Sequence, residues 1–182
     1  MKHNYIKPVT RLFFSFLLAW LLSCDHHDGK KDTSLKIFAG SIHTNKTDQT
    51  VCKVIGIKDG DTFVLLVDGK EQVIRLAHID CPEKKQPFGN KAKQFAADLC
   101  FGKYVRLVQN NKYDRNKRLI AEIILPDGSN LNKRLVKNGL AWHFKKYSSD
   151  AAYAQLEIVA RTNKAGLWSE PNPIAPWNWR KH

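Results

Sequence analysis

The stretch "VCKVIGIKDGDTFVLLVDGKEQVIRLAHI", residues 51–79, decides the fold of this chain. Its apolar residues fall into three runs, at 51–57, 63–67 and 71–79, and each run contains the β-branched residues that favour strands. The runs are separated by "KDGDT" and "DGK", which carry the aspartate and glycine residues that tight turns favour. This pattern predicts three antiparallel strands that follow one another through short turns.

A helix and two more strands are predicted after this meander. The segment "GNKAKQFAADLC", residues 89–100, has apolar residues at helical spacing. The segments "YVRLVQ", residues 104–109, and "RLIAEIIL", residues 118–125, are apolar runs that indicate strands. Five strands with a helix inserted after the third match the OB-fold, a small closed β-barrel.

Two further helices are predicted beside the barrel. A turn and a short helix lie within residues 126–139, and a longer helix runs from an N-cap at Ser148 or Ser149 to a stop at Gly166. The expected fold class is therefore α+β, a five-stranded OB-fold barrel with three helices. We expect one domain, residues 50–182, whose last residues form an irregular tail.

The N-terminus has the pattern of a secretory signal. Lys2, Lys7 and Arg11 precede the apolar run "LFFSFLLAWLL", residues 12–22. That run is too short to span a bilayer comfortably. A basic start, a short apolar run and a small residue at the boundary predict a signal peptide over residues 1–23, and therefore export.

The signal ends on "LLSC", residues 21–24, which resembles the lipobox of bacterial lipoproteins. In that family of signals the chain is cut before the cysteine, whose thiol is then acylated. We therefore expect lipidation of Cys24, with the polar residues 24–49 as a tether between the membrane and the domain. The protein would be a membrane-anchored lipoprotein of the cell envelope that faces the periplasm, or a secreted protein if Cys24 is not acylated.

The chain is strongly basic, with 30 Lys and Arg against 17 Asp and Glu residues. Removing the signal leaves 27 basic and 17 acidic residues, a net charge of +10. This excess indicates a polyanionic partner, either nucleic acid or an anionic membrane surface.

Three cysteines follow Cys24, and their spacing fits no zinc site. Exported proteins commonly carry disulfides. We expect Cys52 to pair with Cys100, which leaves Cys81 free.

Two carboxylates lie at the ends of predicted neighbouring strands. Asp61 begins one strand and Asp80 follows another, and antiparallel pairing brings such ends together. Carboxylate oxygens are the ligands that hard cations prefer. Taken alone, Asp61 is equally well explained as a turn residue. His78, two residues before Asp80, is expected to be a packed or surface strand residue rather than a catalytic base.

Five short motifs, in this order, resemble the staphylococcal nuclease (thermonuclease) family: "DGDT", "IRLAHIDCPE", "DRNKRLIAEI", "NGLAW" and "GLW". The resemblance covers nearly all of residues 51–170. It implies a calcium-dependent nuclease that cuts phosphodiester bonds of DNA and RNA and leaves 3′-phosphate products. We expect it to act as a monomer.

The resemblance also implies roles for single residues. Asp61, Asp80 and the backbone carbonyl of Cys81 match the calcium ligands of the family. Glu83 matches the carboxylate that activates or positions the attacking water. A positioned base of this kind typically contributes about 10²–10⁴-fold to the rate.

Basic and aromatic residues complete the predicted site. Arg75 and Arg118 match the two arginines that hold the scissile phosphate, for which a planar guanidinium fork is suited. Arg115, Lys117 and Tyr147 are expected to contact the substrate. Lys117 departs from the family pattern, because it replaces a glycine of that loop.

Two alternative functions, from different functional classes, also fit a basic chain of this kind. One is a catalytically inactive OB-fold that only binds nucleic acid. Such a protein would have no need for Glu83 beside a metal site. The other is a basic envelope protein held by anionic lipid, which predicts no metal dependence.

Overall fold

The computed structural model describes residues 48–181, which form seven strands and four α-helices. The strands are β1 Asp48–Asp59, β2 Thr62–Val67, β3 Lys70–Leu76, β4 Ile79–Asp80, β5 Tyr104–Tyr113, β6 Leu119–Ile124 and β7 Trp142–His143. The helices are α1 Gly89–Cys100, α2 Leu131–Lys137, α3 Ala151–Thr162 and α4 Pro176–Trp179, with a 3₁₀ turn at Gly166–Ser169.

Five of the strands close into a barrel in the order β1-β2-β3-β6-β5. Neighbours are antiparallel except β3 and β6, which run parallel and close the barrel. The predicted α+β fold, an OB-fold barrel with three principal helices, is confirmed. The remaining strands, β4 and β7, form a separate antiparallel pair that the sequence did not reveal.

The hairpin between β2 and β3 follows from its turn residues. Asp68 and Gly69 both have positive φ, at 48° and 76°. A two-residue turn with two positive φ angles matches the right-handed twist of the strands that it joins. The turn therefore sets the register in which Thr62 lies opposite Arg75.

The core combines the barrel interior with two helices. Val54, Phe63, Leu65, Ile74 and Ile123 are fully buried inside the barrel. The helices add buried side chains to the same cluster: Ala92, Ala96 and Cys100 from α1, and Leu131, Leu135 and Val136 from α2. This packing holds α1, which begins directly after the charged loop at residues 81–88.

The third strand ends earlier than its apolar run. β3 stops at Leu76, and His78 lies in a turn with φ 70° rather than in mid-strand. The side-chain amide of Asn132 donates to the carbonyl of Ala77 at 3.0 Å and holds this turn against β6. His78 is packed, as expected, because its ring stacks on Tyr153 with centroids 4.8 Å apart.

The ends of α3 differ from the prediction. Asp150, rather than Ser148 or Ser149, is the N-cap, and its side chain accepts a hydrogen bond from the Ala152 N–H at 2.8 Å. The Ser148 hydroxyl is instead hydrogen-bonded to a ring nitrogen of His78 and to one of His143. The helix ends at Thr162, so Gly166 is not its stop but the first residue of the 3₁₀ turn.

The predicted disulfide is wrong, because Cys52, Cys81 and Cys100 are all free and buried. The Cys52 thiol lies 3.6 Å from the carbonyl of Thr50, and the Cys100 thiol contacts the carbonyl of Ala96 within its own helix. The thiols of Cys52 and Cys100 are thus packed core groups, each with a local hydrogen-bond acceptor. Burial raises the pKa of Cys52 and Cys100 to about 11.

The predicted signal, Cys24 and nearly all of the predicted tether lie outside the described residues. β1 begins at Asp48, two residues before the predicted start of the domain, and its first residues pair with β5. Within residues 48–181, no helix is long and apolar enough to cross a membrane.

Candidate active site

The barrel register brings three chain segments together at one place. Thr62, the first residue of β2, pairs with Arg75 of β3, and the Leu76 N–H donates to the carbonyl of Asp61 at 2.9 Å. The parallel pairing of β3 with β6 sets Arg75 beside Ile120, close to the start of β6. The "DGDT" turn, the end of β3 and the start of β6 therefore meet.

Arg75 joins the two predicted metal carboxylates. Its Nη1 lies 2.8 Å from Asp61 Oδ2, and its Nη2 lies 2.7 Å from Asp80 Oδ1. Both carboxylates are buried, with only 6% of Asp61 and 1% of Asp80 exposed, and the Arg75 side chain is 14% exposed. Although burial opposes its charge, Asp61 and Asp80 raise the pKa of the Arg75 guanidinium. The guanidinium of Arg75 thus bridges two buried carboxylates.

Asp61 is held by its neighbours along the chain and across the turn. Its Oδ2 accepts from the Cys81 N–H at 2.7 Å, and its Oδ1 accepts from the Thr62 hydroxyl at 3.3 Å. Burial is the largest cause that raises the pKa of Asp61 to about 7, against the lowering effect of Arg75 and with support from Asp59 and Asp80. A second positive group would stabilise the ionised form of this carboxyl.

Close packing of the turn explains the glycine of "DGDT". A Cβ on Gly60 would lie 2.8 Å from Cβ of Ala92 on α1 and 2.9 Å from Cβ of Cys81. Real Cβ atoms do not approach so closely, so only glycine lets the turn pack against both elements. This contact sets Asp61 beside the segment that carries Asp80.

Glu83 lies in the loop between β4 and α1. Its N–H donates to the side-chain oxygen of Gln86 at 3.1 Å, and the Gln86 N–H donates back to its carbonyl at 2.9 Å. A Cβ on Gly89 would lie only 1.9 Å from the same carbonyl, so glycine allows α1 to begin directly against this loop. Glu83 is therefore fixed through its backbone while its carboxylate stays half exposed.

A third arginine, Arg180 from the end of α4, joins Glu83 to Asp80. Its Nη1 lies 2.6 Å from Glu83 Oε1, and its Nη2 lies 2.7 Å from Asp80 Oδ2. Asp61, Arg75, Asp80, Glu83 and Arg180 form one connected set, which we call the carboxylate–arginine cluster. The structure thus brings four predicted residues together and adds a fifth.

Arg118 reaches this cluster through a threonine. Its Nη1 donates to Thr62 Oγ1 at 3.2 Å, and that hydroxyl in turn contacts Asp61. Its Nε and Nη2 both lie 2.7 Å from Asp114 Oδ2, which orients the guanidinium. Despite partial burial, hydrogen bonds from Arg118 hold the pKa of Asp114 below its usual value.

The predicted substrate residues lie at the surface. Arg115 and Lys117 are exposed in the turn between β5 and β6, and Tyr147 is 71% exposed beside the ring of Phe144. Within residues 48–181, no hydrogen bond or ion pair joins these side chains to the carboxylate–arginine cluster. Lys117 has φ 59°, a conformation that glycine adopts without strain, which explains why a glycine suits this position.

The donor set at the cluster fits a hard cation. Among residues 48–181, no group of three or more His, Cys, Asp and Glu side chains is arranged to hold a metal. Asp61 and Asp80 nevertheless offer two buried carboxylates, and Cys81 lies between them and Glu83 in the chain, with its N–H bonded to Asp61. Two carboxylates, a backbone carbonyl and water are oxygen ligands of the kind that Ca²⁺ accepts.

Sequence reasoning missed Arg180, Gln86 and Asp114. Arg180 lies 97 residues from Glu83 in the chain, and no motif links them. Gln86 lies in a short polar loop whose sequence carried no signal for its role. Asp114 could have been identified, because it lies four residues before Arg118 within a turn, a spacing that favours an ion pair.

Comparison with known proteins places the chain among nucleases. The model of the staphylococcal nuclease homologue family matches residues 73–170. The chain is 39% identical over 150 residues to a protein of Haemophilus influenzae named "uncharacterized endonuclease", a match that covers 82% of this chain and 83% of that protein. It is 38% identical over 138 residues to the micrococcal nuclease of Shigella flexneri, covering 71% of this chain and 79% of that protein.

A plant relative matches over a shorter length. The staphylococcal-like nuclease CAN1 of Arabidopsis thaliana is 37% identical over 109 residues, which cover 60% of this chain and 33% of that protein. The family match includes Arg75, Asp80, Glu83 and Arg118. Because that match spans more than half of the chain, and because the bacterial relatives align over most of their own length, this protein belongs to the staphylococcal nuclease family.

Proposed function

We propose that the protein is a calcium-dependent nuclease that hydrolyses phosphodiester bonds of DNA and RNA and leaves 3′-phosphate ends. That it is a nuclease follows from its family. Calcium dependence, cleavage of both DNA and RNA, and 3′-phosphate ends go beyond the family assignment. One observation carries the calcium site, the pair of buried carboxylates Asp61 and Asp80 bridged by the guanidinium of Arg75. The substrates and the product ends are what the family resemblance implies.

Asp61, Asp80 and the Cys81 carbonyl would hold the ion. Calcium takes about six to eight oxygen ligands at flexible geometry, so water completes a set that begins with two carboxylates. When bound, calcium supplies positive charge beside the phosphoryl oxygens, where negative charge develops during hydrolysis. Burial of both carboxylates supports the proposal, because a low local dielectric strengthens their attraction to a cation.

Arg75 and Arg118 would bind the phosphate. Arg75 is rigid, because two carboxylates hold its guanidinium, and Arg118 is oriented by Asp114 and Thr62. Planar guanidinium groups suit the oxygens of a phosphodiester, and fixed donors cost no reorganisation when charge develops on them. The two arginines thereby position phosphorus between them and neutralise its added charge.

Glu83 would act on the attacking water. Its carboxylate is half exposed and adjoins Asp80 through Arg180, so water can reach it. Glu83 takes a proton from water as the water oxygen bonds to phosphorus. The bond from phosphorus to the 5′ oxygen then breaks, and that oxygen takes a proton from the solvent, which leaves a 3′-phosphate and a 5′-hydroxyl. Glu83 afterwards releases its proton to the solvent.

A cleavage assay tests this proposal. The full chain, purified in detergent, is incubated with single-stranded DNA or RNA in calcium or in a calcium chelator. We expect cleavage of both substrates in calcium and none in the chelator. Treatment of the products with a phosphatase should open their 3′ ends to extension by a polymerase. Salt-sensitive binding without cleavage, under every divalent ion tried, would instead establish the inactive OB-fold binder.

We also propose that the protein is a lipoprotein of the cell envelope, anchored through Cys24. The "LLSC" boundary after a short apolar run supports this. Cells fed labelled palmitate are expected to incorporate the label into the wild-type chain but not into the Cys24→Ser variant. Cys52→Ser is the matched control and should keep the label. A wild-type chain that is cleaved but unlabelled would show secretion without an anchor.

A further inference from the structure

The Arg180 guanidinium is paired with the carboxylates of Asp80 and Glu83. In the proposed function, Asp80 would bind the calcium ion and Glu83 would act as the base. Its Nη2 lies 2.7 Å from Asp80 Oδ2, and its Nη1 lies 2.6 Å from Glu83 Oε1 and 3.4 Å from Asp80 Oδ1. Since Arg75 Nη2 contacts Asp80 Oδ1 at 2.7 Å, both oxygens of Asp80 are hydrogen-bonded to guanidinium groups. The carboxylate that would bind the ion is therefore already neutralised.

The position of Arg180 is set by the packing of the tail. Trp177 stacks on Phe144 with centroids 5.1 Å apart and planes at 4°, and it meets the edge of Trp142. The buried side-chain amide of Gln86 donates to the carbonyl of Ile174. Gln86 thus links the loop that carries Glu83 to the segment that carries Arg180, so this contact is built into the fold.

A cation at Asp80 and the Arg180 guanidinium exclude each other by charge. An ion bound to these oxygens would lie within a few ångströms of the guanidinium, and like charges at that separation repel strongly in a partly buried site. Of the two arginines on Asp80, Arg75 is only 14% exposed and also pairs with Asp61. The Arg180 side chain is 44% exposed, so it is the one that can leave.

We propose that Arg180 is an internal competitor of calcium that sets the calcium concentration at which the site fills and at which Glu83 is released. This inference rests on the proposed function. When calcium is scarce, the Arg180 side chain stays paired with Asp80 and Glu83. The ion displaces the tail arginine when calcium is abundant, and the Glu83 carboxylate then becomes free to accept a proton.

Calcium binding to the full chain tests the competition directly. Isothermal titration with calcium alone compares the wild type, Arg180→Gln and Lys181→Gln. The last variant removes the same charge from an exposed neighbouring residue and so controls for long-range electrostatics. We expect Arg180→Gln to bind calcium about tenfold more tightly, equivalent to about 1.4 kcal/mol. Lys181→Gln should stay within about twofold of the wild type.

A second substitution guards against a misfolded variant. Arg180→Lys keeps the charge but loses the planar fork, so an intermediate gain in calcium affinity is expected. Melting temperatures in chelator confirm that each variant is folded. The calcium concentration for half-maximal cleavage should fall with the dissociation constant.

Three results overturn the inference. Equal calcium affinity of the wild type and Arg180→Gln would show that no competition exists. Weaker affinity of the variant would show that Arg180 organises the carboxylates for the ion. Unchanged affinity with a raised KM for DNA would make Arg180 a phosphate-binding residue. Cleavage by the wild type in calcium establishes the proposed function separately, so each of these results removes the role of Arg180 alone.

Discussion

Replacing Glu83 with glutamine is expected to lower kcat by about 10²–10⁴-fold, the typical contribution of a positioned general base. Glutamine has nearly the shape of glutamate, and the backbone bonds between residue 83 and Gln86 do not involve the substituted side chain. The carboxylate that would accept a proton from water is lost, while the substrate contacts remain. The expected change therefore lies in kcat, with KM for single-stranded DNA nearly unchanged.

A matched control separates this effect from the loss of one negative charge. Glu71→Gln makes the same chemical change on an exposed residue of β3 and should leave kcat within about twofold of the wild type. Because Glu83 also pairs with Arg180, the calcium affinity of Glu83→Gln must be measured and saturating calcium used for kcat. A variant that cleaves at the wild-type rate under saturating calcium would exclude Glu83 as the base.

Replacing Arg118 with lysine is expected to lower kcat by about 10²–10³-fold, the cost of losing one fixed donor to developing charge. Lysine keeps the positive charge but cannot reproduce the fork that contacts both Asp114 and Thr62. The ammonium group would lack the orientation that Asp114 gives the guanidinium. Single-turnover cleavage of DNA at saturating calcium and enzyme measures the chemical step directly.

The same substitution elsewhere provides the comparison. Arg134→Lys changes a guanidinium that pairs with the exposed Asp127 at 3.1 Å, and its kcat should match the wild type. Calcium affinity of Arg118→Lys should also be unchanged, because Arg118 does not contact Asp80. If Arg118→Lys retains the wild-type rate, the fork is not needed and a point charge suffices at this position.

Local patterns predicted the barrel where turn residues mark the strand boundaries. The turn at Asp68 and Gly69 needs two positive φ angles, and that residue pair favours them, so the hairpin could be placed from the sequence alone. The end of β3 was misplaced, since the apolar run continues to Ile79 while the chain turns at His78. The bond from Asn132 that holds this turn comes from α2, and no strand pattern contains that information.

Strand ends predicted Asp61 and Asp80, whereas the family resemblance implied Arg75, Glu83 and Arg118. Asp61 and Asp80 do lie close together, and Arg75 bridges them, but Asp80 belongs to the separate strand β4 and not to the end of β3 as predicted. Arg180 could not be identified in this way. Its position depends on how Trp177 packs in the tail, which is a tertiary contact without a sequence period. The free Cys52 illustrates the same limit, because pairing depends on distance through the core rather than on spacing.

The parallel pairing of β3 with β6 has a consequence for folding kinetics. Arg75 and Arg118 are separated by the whole of α1 and β5, and they approach only when Ile74 pairs with Leu119 and the barrel closes. Non-local closure of this kind is slow, because the chain loses loop entropy before the contacts form. A newly made chain therefore contains both arginines but not the proposed phosphate site. If the chain is exported unfolded, the cell that makes this nuclease is protected from it until the barrel closes on the far side of the membrane.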